Sequence, residues 1–147
     1  MEMFIGQYHH QMDDKGRLRM PPAFRRLLGD NPMIFCSFFE RCLCVYPREE
    51  FDKRVIDRFR NSDMLDSEMN DIKRAIFSST QELVEDKQGR MSLNSAFIDA
   101  CGLTKNIITI GVYDHVEIWD EEVYKEHMKE TDFKSILAQF NSSRNKI

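Results

Sequence analysis

A five-residue pattern occurs twice in this chain, as Asp13-Asp14-Lys15-Gly16-Arg17 and as Asp86-Lys87-Gln88-Gly89-Arg90, 73 positions apart. Sliding the sequence by 73 aligns residues 13–55 with 86–128 without a gap. Eight of these 43 pairs are identical: Asp13/Asp86, Gly16/Gly89, Arg17/Arg90, Ala23/Ala96, Phe24/Phe97, Gly29/Gly102, Ile34/Ile107 and Glu49/Glu122. A fixed period of this kind marks a duplicated supersecondary unit, and a unit that short rarely buries a core alone. The two copies are therefore expected to pack together as one domain, which suits a chain of 147 residues. The pattern predicts a first unit over 1–60, a connecting helix over 61–78, a second unit over 79–130, and a C-terminal helix and tail over 131–147.

Within each unit the order reads as strand, turn, strand, short helix, two strands and a longer helix. Strands are expected to enter the turns over 4–12 and 81–85. Gly16 and Gly89 sit where a tight turn needs positive φ, so the flanking charges project from a hairpin tip. Pro21 and Pro22 open a helical turn over 23–28 that Gly29 ends; Asn94 or Ser95 caps the equivalent turn over 96–101, ended by Gly102. Phe24 and Phe97 are the core anchors of these helices. Residues 33–39 with 42–46, and 106–112 with 115–119, read as hairpins, followed by helix starts at Pro47 and Asp120. Phe51, Val55, Ile56 and Phe59 form one apolar helical face, as do Met69, Ile72 and Ile76 in the connecting segment and Phe133, Ile136, Leu137 and Phe140 near the end. The polar stretch 141–147 reads as disordered.

Apolar runs are too short to span a bilayer, and the N-terminus does not resemble a signal peptide, so a cytosolic protein with no membrane partner is expected. Four cysteines are present. Cys42 and Cys44 lie one residue apart in a predicted strand and face the same side, without the two-residue spacing of a zinc knuckle. Buried free thiols are the preferred reading, and neither a metal nor a cofactor is expected. No HExxH, Gly-x-Ser-x-Gly or Walker motif is present, and no nucleophile and base stand together, so an enzyme is not expected.

The formal net charge is -4, yet Lys15, Arg17, Arg19, Arg25 and Arg26 fall in a window with no acid after Asp14. Electrostatic footprints are local, and guanidinium forks bind phosphate or guanine edges bidentately. Asp13 and Asp86 are expected either to accept backbone N–H groups and fix the turn, or to orient the neighbouring arginine. Two arginine-bearing ribbons related by a pseudo-twofold would offer two tips, with a β-ribbon able to enter the major groove.

The two Asp-x-x-Gly-Arg motifs, the first followed by Met20-Pro21 and the second by Leu93, together with the run from Gly111 to Asp120 that contains Glu117-Ile118-Trp119, resemble the MraZ family of bacterial transcriptional regulators. The resemblance runs from residue 3 to 128. It implies an α+β fold of tandem AbrB-like (SpoVT-AbrB) swapped-hairpin units, forming one pseudo-twofold, β-barrel-like domain. It also implies a nucleoid-associated protein that controls the division and cell-wall gene cluster, including its own promoter. Members form ring-shaped homo-oligomers, expected here as an octamer, that bind double-stranded DNA at direct repeats. By position, Arg17 and Arg90 carry over as DNA contacts, with Lys15, Arg19 and Lys87 assisting and Asp13, Gly16, Asp86 and Gly89 supporting the loops. The second motif has Gln88 where the family has a basic residue and Asn94 where it has proline. Because the first tip has Lys15, Arg19, Arg25 and Arg26 close in sequence, Arg90→Ala is expected to cost less than Arg17→Ala. The alternative function is an antitoxin-like or scaffolding module that uses the same fold for protein contacts.

Overall fold

The computed structural model describes residues 2–143. Its strands are β1 (Gln7–Gln11), β2 (Arg17–Leu18), β3 (Met33–Cys36), β4 (Leu43–Tyr46), β5 (Gln81–Glu82), β6 (Met91–Ser92), β7 (Asn106–Gly111) and β8 (Val116–Asp120). The helices are α1 (Pro22–Leu28), α2 (Arg48–Arg54), α3 (Ser67–Phe77), α4 (Ser95–Cys101), α5 (Glu121–Glu130) and α6 (Phe133–Ser143), with a single 3-10 turn over Ile56–Arg58.

Most helix boundaries follow from local chemistry. Pro21 and Gly29 bracket α1, and Asn94 caps α4 by accepting the Phe97 amide at its side-chain oxygen (2.7 Å). Gly102 closes α4 in the left-handed region at φ 60°. Asp66 caps α3 through the Met69 amide, and the buried Asp120 caps α5 through the Glu122 and Val123 amides. Several expected elements are shorter than the patterns suggested, among them the entering strands over 4–12 and 81–85, which span only Gln7–Gln11 and Gln81–Glu82. The strand over 33–39 stops at Cys36 because the Ser37 hydroxyl accepts the Phe39 and Glu40 amides and turns the chain. The helix bearing Phe51 ends at Arg54, since Val55 departs to φ -110°. Of the stretch expected to be disordered, 141–143 continue α6, and 144–147 lie outside the described residues.

Six strands form one antiparallel sheet in the order β1-β7-β8-β4-β3-β5, and β2 pairs with β6 in a separate two-stranded sheet. The strand entering each half therefore pairs with the opposite half: β1 lies on β7, and β5 lies on β3. At the centre, β4 pairs with β8 with Cys44 opposite Glu117, while Leu18 lies opposite Met91 in the small sheet. Both pairs join positions 73 apart. The barrel-like closure expected from the family resemblance is not found. β1 and β5 stand at opposite edges, β5 supplies only two residues, and β2 and β6 leave to form their own ladder, so too little strand remains to close the sheet.

Both faces of the sheet are buried along its four inner strands, β3, β4, β7 and β8, which explains their near-continuous apolar sequences. Ile34, Leu43, Val45, Ile107, Val116 and Ile118 meet Phe24 of α1, Phe97 of α4, and Leu18 and Met91 of the small sheet. On the other face, Phe35, Cys42, Cys44, Ile108 and Trp119 meet Phe51 of α2, with α3 and α5 packing Ile76, Phe77, Val123 and Tyr124 over them. The result is three layers, with both Asp-Gly-Arg loops next to the β2–β6 ladder.

Candidate nucleic-acid interface

The two loops have the same internal geometry. In the first, Asp13 Oδ1 accepts the Lys15 and Arg17 amides, each at 2.9 Å, while Oδ2 accepts Arg17 Nε at 2.7 Å. In the second, Asp86 Oδ1 accepts the Gln88 and Arg90 amides at 2.8 and 2.9 Å, and Oδ2 accepts Arg90 Nε at 2.9 Å. Backbone bonds close each turn, from the Asp13 amide to the Arg17 carbonyl and from the Asp86 amide to the Arg90 carbonyl. One carboxylate thus performs both roles expected of it. It folds the turn through one oxygen and aims the arginine through the other. Only Nε is held, so the Nη donors of each guanidinium make no hydrogen bond among the described residues.

Gly16 and Gly89 occupy the left-handed region at φ 74° and 76°. A Cβ on Gly16 would also sit 2.9 Å from Ile98 Cδ1 and 3.4 Å from the Leu93 carbonyl oxygen. Gly16→Ala is therefore expected to destabilise the fold by about 1–2 kcal/mol from backbone strain. Gly89→Ala, whose Cβ would meet only Arg19 Nη1 at 3.5 Å, should lose less. Thermal unfolding of the two variants checks this order, and equal losses would contradict it.

The carboxyls of Asp13 and Asp86 are held below the usual carboxylate range, first by the amides of Arg17 and Arg90 respectively. For a carboxylate with a depressed folded pKa, the stabilisation is fully present above the unfolded value of about 3.9 and is lost as pH falls through the folded value. The loops should therefore be insensitive to pH from 8 down to about 5 and loosen only below about 4. The stability difference between the wild type and the Asp13→Asn/Asp86→Asn double variant should be constant in the upper range and shrink in the lower one. A difference that changes near neutrality would point to another group.

The structure corrects two expectations about these loops. First, neither is the tip of an extended two-stranded ribbon, although an isolated antiparallel bridge joins Glu85 to Met91 across the second loop. The strands that flank each loop enter different sheets, β1 to β7 and β2 to β6 in the first, β5 to β3 and β6 to β2 in the second. Second, the cations clustered in sequence after the first loop do not gather around it. Arg19 Nη1 donates to the Gln88 carbonyl of the second loop, and Arg25 pairs with Glu85 at 2.7 Å beside that loop. Arg19, Arg25 and Lys87 line one shallow depression with Gly89, whereas Arg26 pairs with Glu2 at 3.1 Å, away from both loops. Lys15 is exposed at the first loop, and neither it nor the exposed Lys87 has an ion-pair partner among the described residues. The first loop is backed by Leu93, whose amide donates to the Gly16 carbonyl, and by Ile98. The residues equivalent to Arg19 and Arg25 in the second half are Ser92 and Ile98, so strand exchange gives the second loop the extra charge. Nothing in the local sequence signalled this, because the contact spans 69 positions.

Comparison with known proteins agrees with the motif assignment. The family model described as "MraZ protein, putative antitoxin-like" matches residues 3–72 and 76–142, two stretches whose starts are again 73 positions apart. The chain belongs to the MraZ family. It is 35% identical over 142 residues to the "Transcriptional regulator MraZ" of Dictyoglomus thermophilum, covering 95% of this chain and 94% of that protein. It is 36% identical over 141 residues to the protein of the same name from Dictyoglomus turgidum, with 95% and 94% covered. The MraZ of Natranaerobius thermophilus is 35% identical over 139 residues, with 93% and 96% covered. Among the described residues no helix is long and apolar enough to cross a membrane.

Proposed function

We propose that this chain is a sequence-specific DNA-binding transcriptional regulator that reads direct repeats, its own promoter among them, through Arg17 and Arg90. The observation that carries the reading is the repeated carboxylate staple. Asp13 and Asp86 hold each arginine at Nε and leave the paired Nη donors without a partner, the arrangement that suits bidentate contact with guanine O6 and N7 or with phosphate. Lys15 supplies phosphate contact at the first loop, and Lys87 with Arg25 at the second. Arg19 acts mainly through the Gln88 carbonyl, positioning the second loop. Family membership and the names of the relatives support a role in transcriptional regulation, and the genes regulated on this reading are those of the division and cell-wall cluster, with the protein in the cytoplasm and on the nucleoid.

The chain is read as two AbrB-like units, 1–60 and 79–130, joined by the segment 61–78. Supporting this are the exchange of β1 and β5 between halves and the pairing of Cys44 with Glu117 and Leu18 with Met91, as a local twofold between the units requires. A single subunit offers few phosphate contacts. A ring-shaped homo-oligomer, an octamer on the family reading, makes later contacts effectively intramolecular, so correctly spaced repeats gain avidity without new chemistry.

Fluorescence anisotropy with DNA from upstream of the protein's own gene, beside a scrambled duplex and at two salt concentrations, tests the reading. Tight binding that prefers the native duplex and weakens steeply with salt is expected, with a log–log slope of about -0.9 per phosphate neutralised. Equal or absent binding to the two duplexes would refute it and favour the antitoxin-like or scaffolding alternative.

A further inference from the structure

On the sheet face covered by α2 and α5, the central β4–β8 pair carries a cluster with no part in the loops. Cys42 and Cys44 are both buried and look to the same side, and Glu117 lies directly across the ladder from Cys44. The two thiol sulfurs and a Glu117 carboxylate oxygen all lie within 4.8 Å of one another. His115, two residues before Glu117 on β8's side of the turn, places Nε2 3.4 Å from Glu117 Oε2 and contacts the Cys44 thiol.

We propose that Cys42, Cys44, Glu117 and His115 form a binding site for a borderline-soft divalent cation of the zinc class. Two sulfurs, one imidazole nitrogen and one carboxylate oxygen make a mixed donor set that suits tetrahedral zinc and does not suit the hard oxygen-seeking ions. Zinc–sulfur bonds of about 2.3 Å place tetrahedral sulfurs about 3.8 Å apart, so closure draws the two sulfurs and the Glu117 oxygen together and turns the His115 ring, which stands outside that close group, toward them. The surrounding contacts already orient the donors. Asp114 Oδ1 lies 2.7 Å from His115 Nδ1, which keeps a proton on Nδ1, while Nε2 faces Glu117 Oε2 at 3.4 Å and gives up its own proton when an ion binds. Trp119 Nε1 donates to Glu117 Oε1 at 3.0 Å, leaving Oε2 for the ion. Tyr46 stacks on the His115 ring at 4.6 Å and 9°, and Arg54 lies 3.5 Å from Asp114.

Binding would release the thiol protons and the Nε2 proton of His115, so that two thiolates, the Glu117 carboxylate and a neutral imidazole surround the ion. The His115 and Glu117 side chains keep 11% and 18% of their surface exposed, which provides an entry path. An ordinary thiol pocket is lined by apolar groups. Here a carboxylate and an imidazole, already paired with each other and with Asp114 and Trp119, are brought against the two thiols. The one-residue cysteine spacing gave no zinc signal because the other two donors come from a strand more than 70 positions away. A bound ion would tie β4 to β8, the strands that join the two halves.

The full-length protein, reduced with a phosphine and freed of metal, is to be titrated with Co²⁺ and then with Zn²⁺. Expected are one equivalent of Co²⁺ with a thiolate charge-transfer band and tetrahedral visible bands, displacement by Zn²⁺, and release of about two to three protons per ion. Cys44→Ser should lose the charge-transfer band. Asp114→Asn, which leaves all four donors in place, should fold normally by circular dichroism and bind Zn²⁺ about 10–100-fold more weakly. Absence of the band in the folded wild type, or an unchanged band in Cys44→Ser, overturns the site.

Discussion

Replacing Arg17 and Arg90 together by alanine is expected to abolish preference for the native promoter duplex, with each arginine contributing about 1–3 kcal/mol if its fork meets a base edge. The argument rests on the staple. Arg17 and Arg90 side chains retain only 25% and 26% of their surface because Nε is bound to Asp13 and Asp86, so little conformational entropy is left to lose when the Nη edge meets DNA. The single variants discriminate further. Proximity in sequence favoured the first loop, but Arg19, Arg25 and Lys87 converge on the second. Arg90→Ala should therefore cost at least as much as Arg17→Ala. Arg74→Ala, which removes a cation 70% exposed on α3 and paired with Asp71, serves as the control and should leave affinity within error. Anisotropy titrations of the variants at two salt concentrations decide the matter. A clearly larger loss for Arg17 would show that the added cations of the second loop do not face the DNA, and unchanged affinity in the double variant would remove the arginines from the interface.

Phe24→Ala should give the largest loss of stability, about 3–5 kcal/mol, or a fall in Tm of about 6–20 °C. Phe24 is 1% exposed. Its ring meets Phe4 at 6.0 Å and Tyr8 at 5.0 Å, both edge to face, so its removal opens a cavity where α1, β1 and the N-terminal segment meet. Tyr8 lies on β1, which pairs with β7 of the other half, so the cavity also loosens the strand exchange. Phe39, 91% exposed, is the matched control, and Phe39→Ala should change stability by no more than about 0.5 kcal/mol. Differential scanning calorimetry of both variants tests the contrast. A loss below 1 kcal/mol for Phe24→Ala would mean that the neighbouring rings collapse into the space.

Much of this architecture is legible from neighbouring residues. The short helices after each loop were predictable because their stop and start signals, Gly29, Asn94 and Gly102, act within one turn. Asp120 was readable as a helix start for the same reason, although the Thr104 amide and hydroxyl that it also accepts were not. The hairpin registers were less legible. Ile34 pairs with Val45, but Ile107 pairs with Asp120 and not with Ile118, so the second hairpin is offset by two residues from its counterpart. A shift of two keeps every side chain on its face and so leaves no trace in the apolar pattern.

The sequence by itself determined the internal chemistry of the two loops, because the bonds that fold each turn form within five residues: an aspartate, a glycine at positive φ and an arginine held by the same carboxylate. It also determined that two such units must share a core, through the 73-residue period. Only the tertiary structure decided which cations stand beside which loop, that the sheet stays open, and that two cysteines meet a carboxylate and an imidazole. Those outcomes depend on strand pairing between residues roughly 70 to 100 positions apart. Such pairing is selected by the packing of both sheet faces at once and not by the local preference of any one segment.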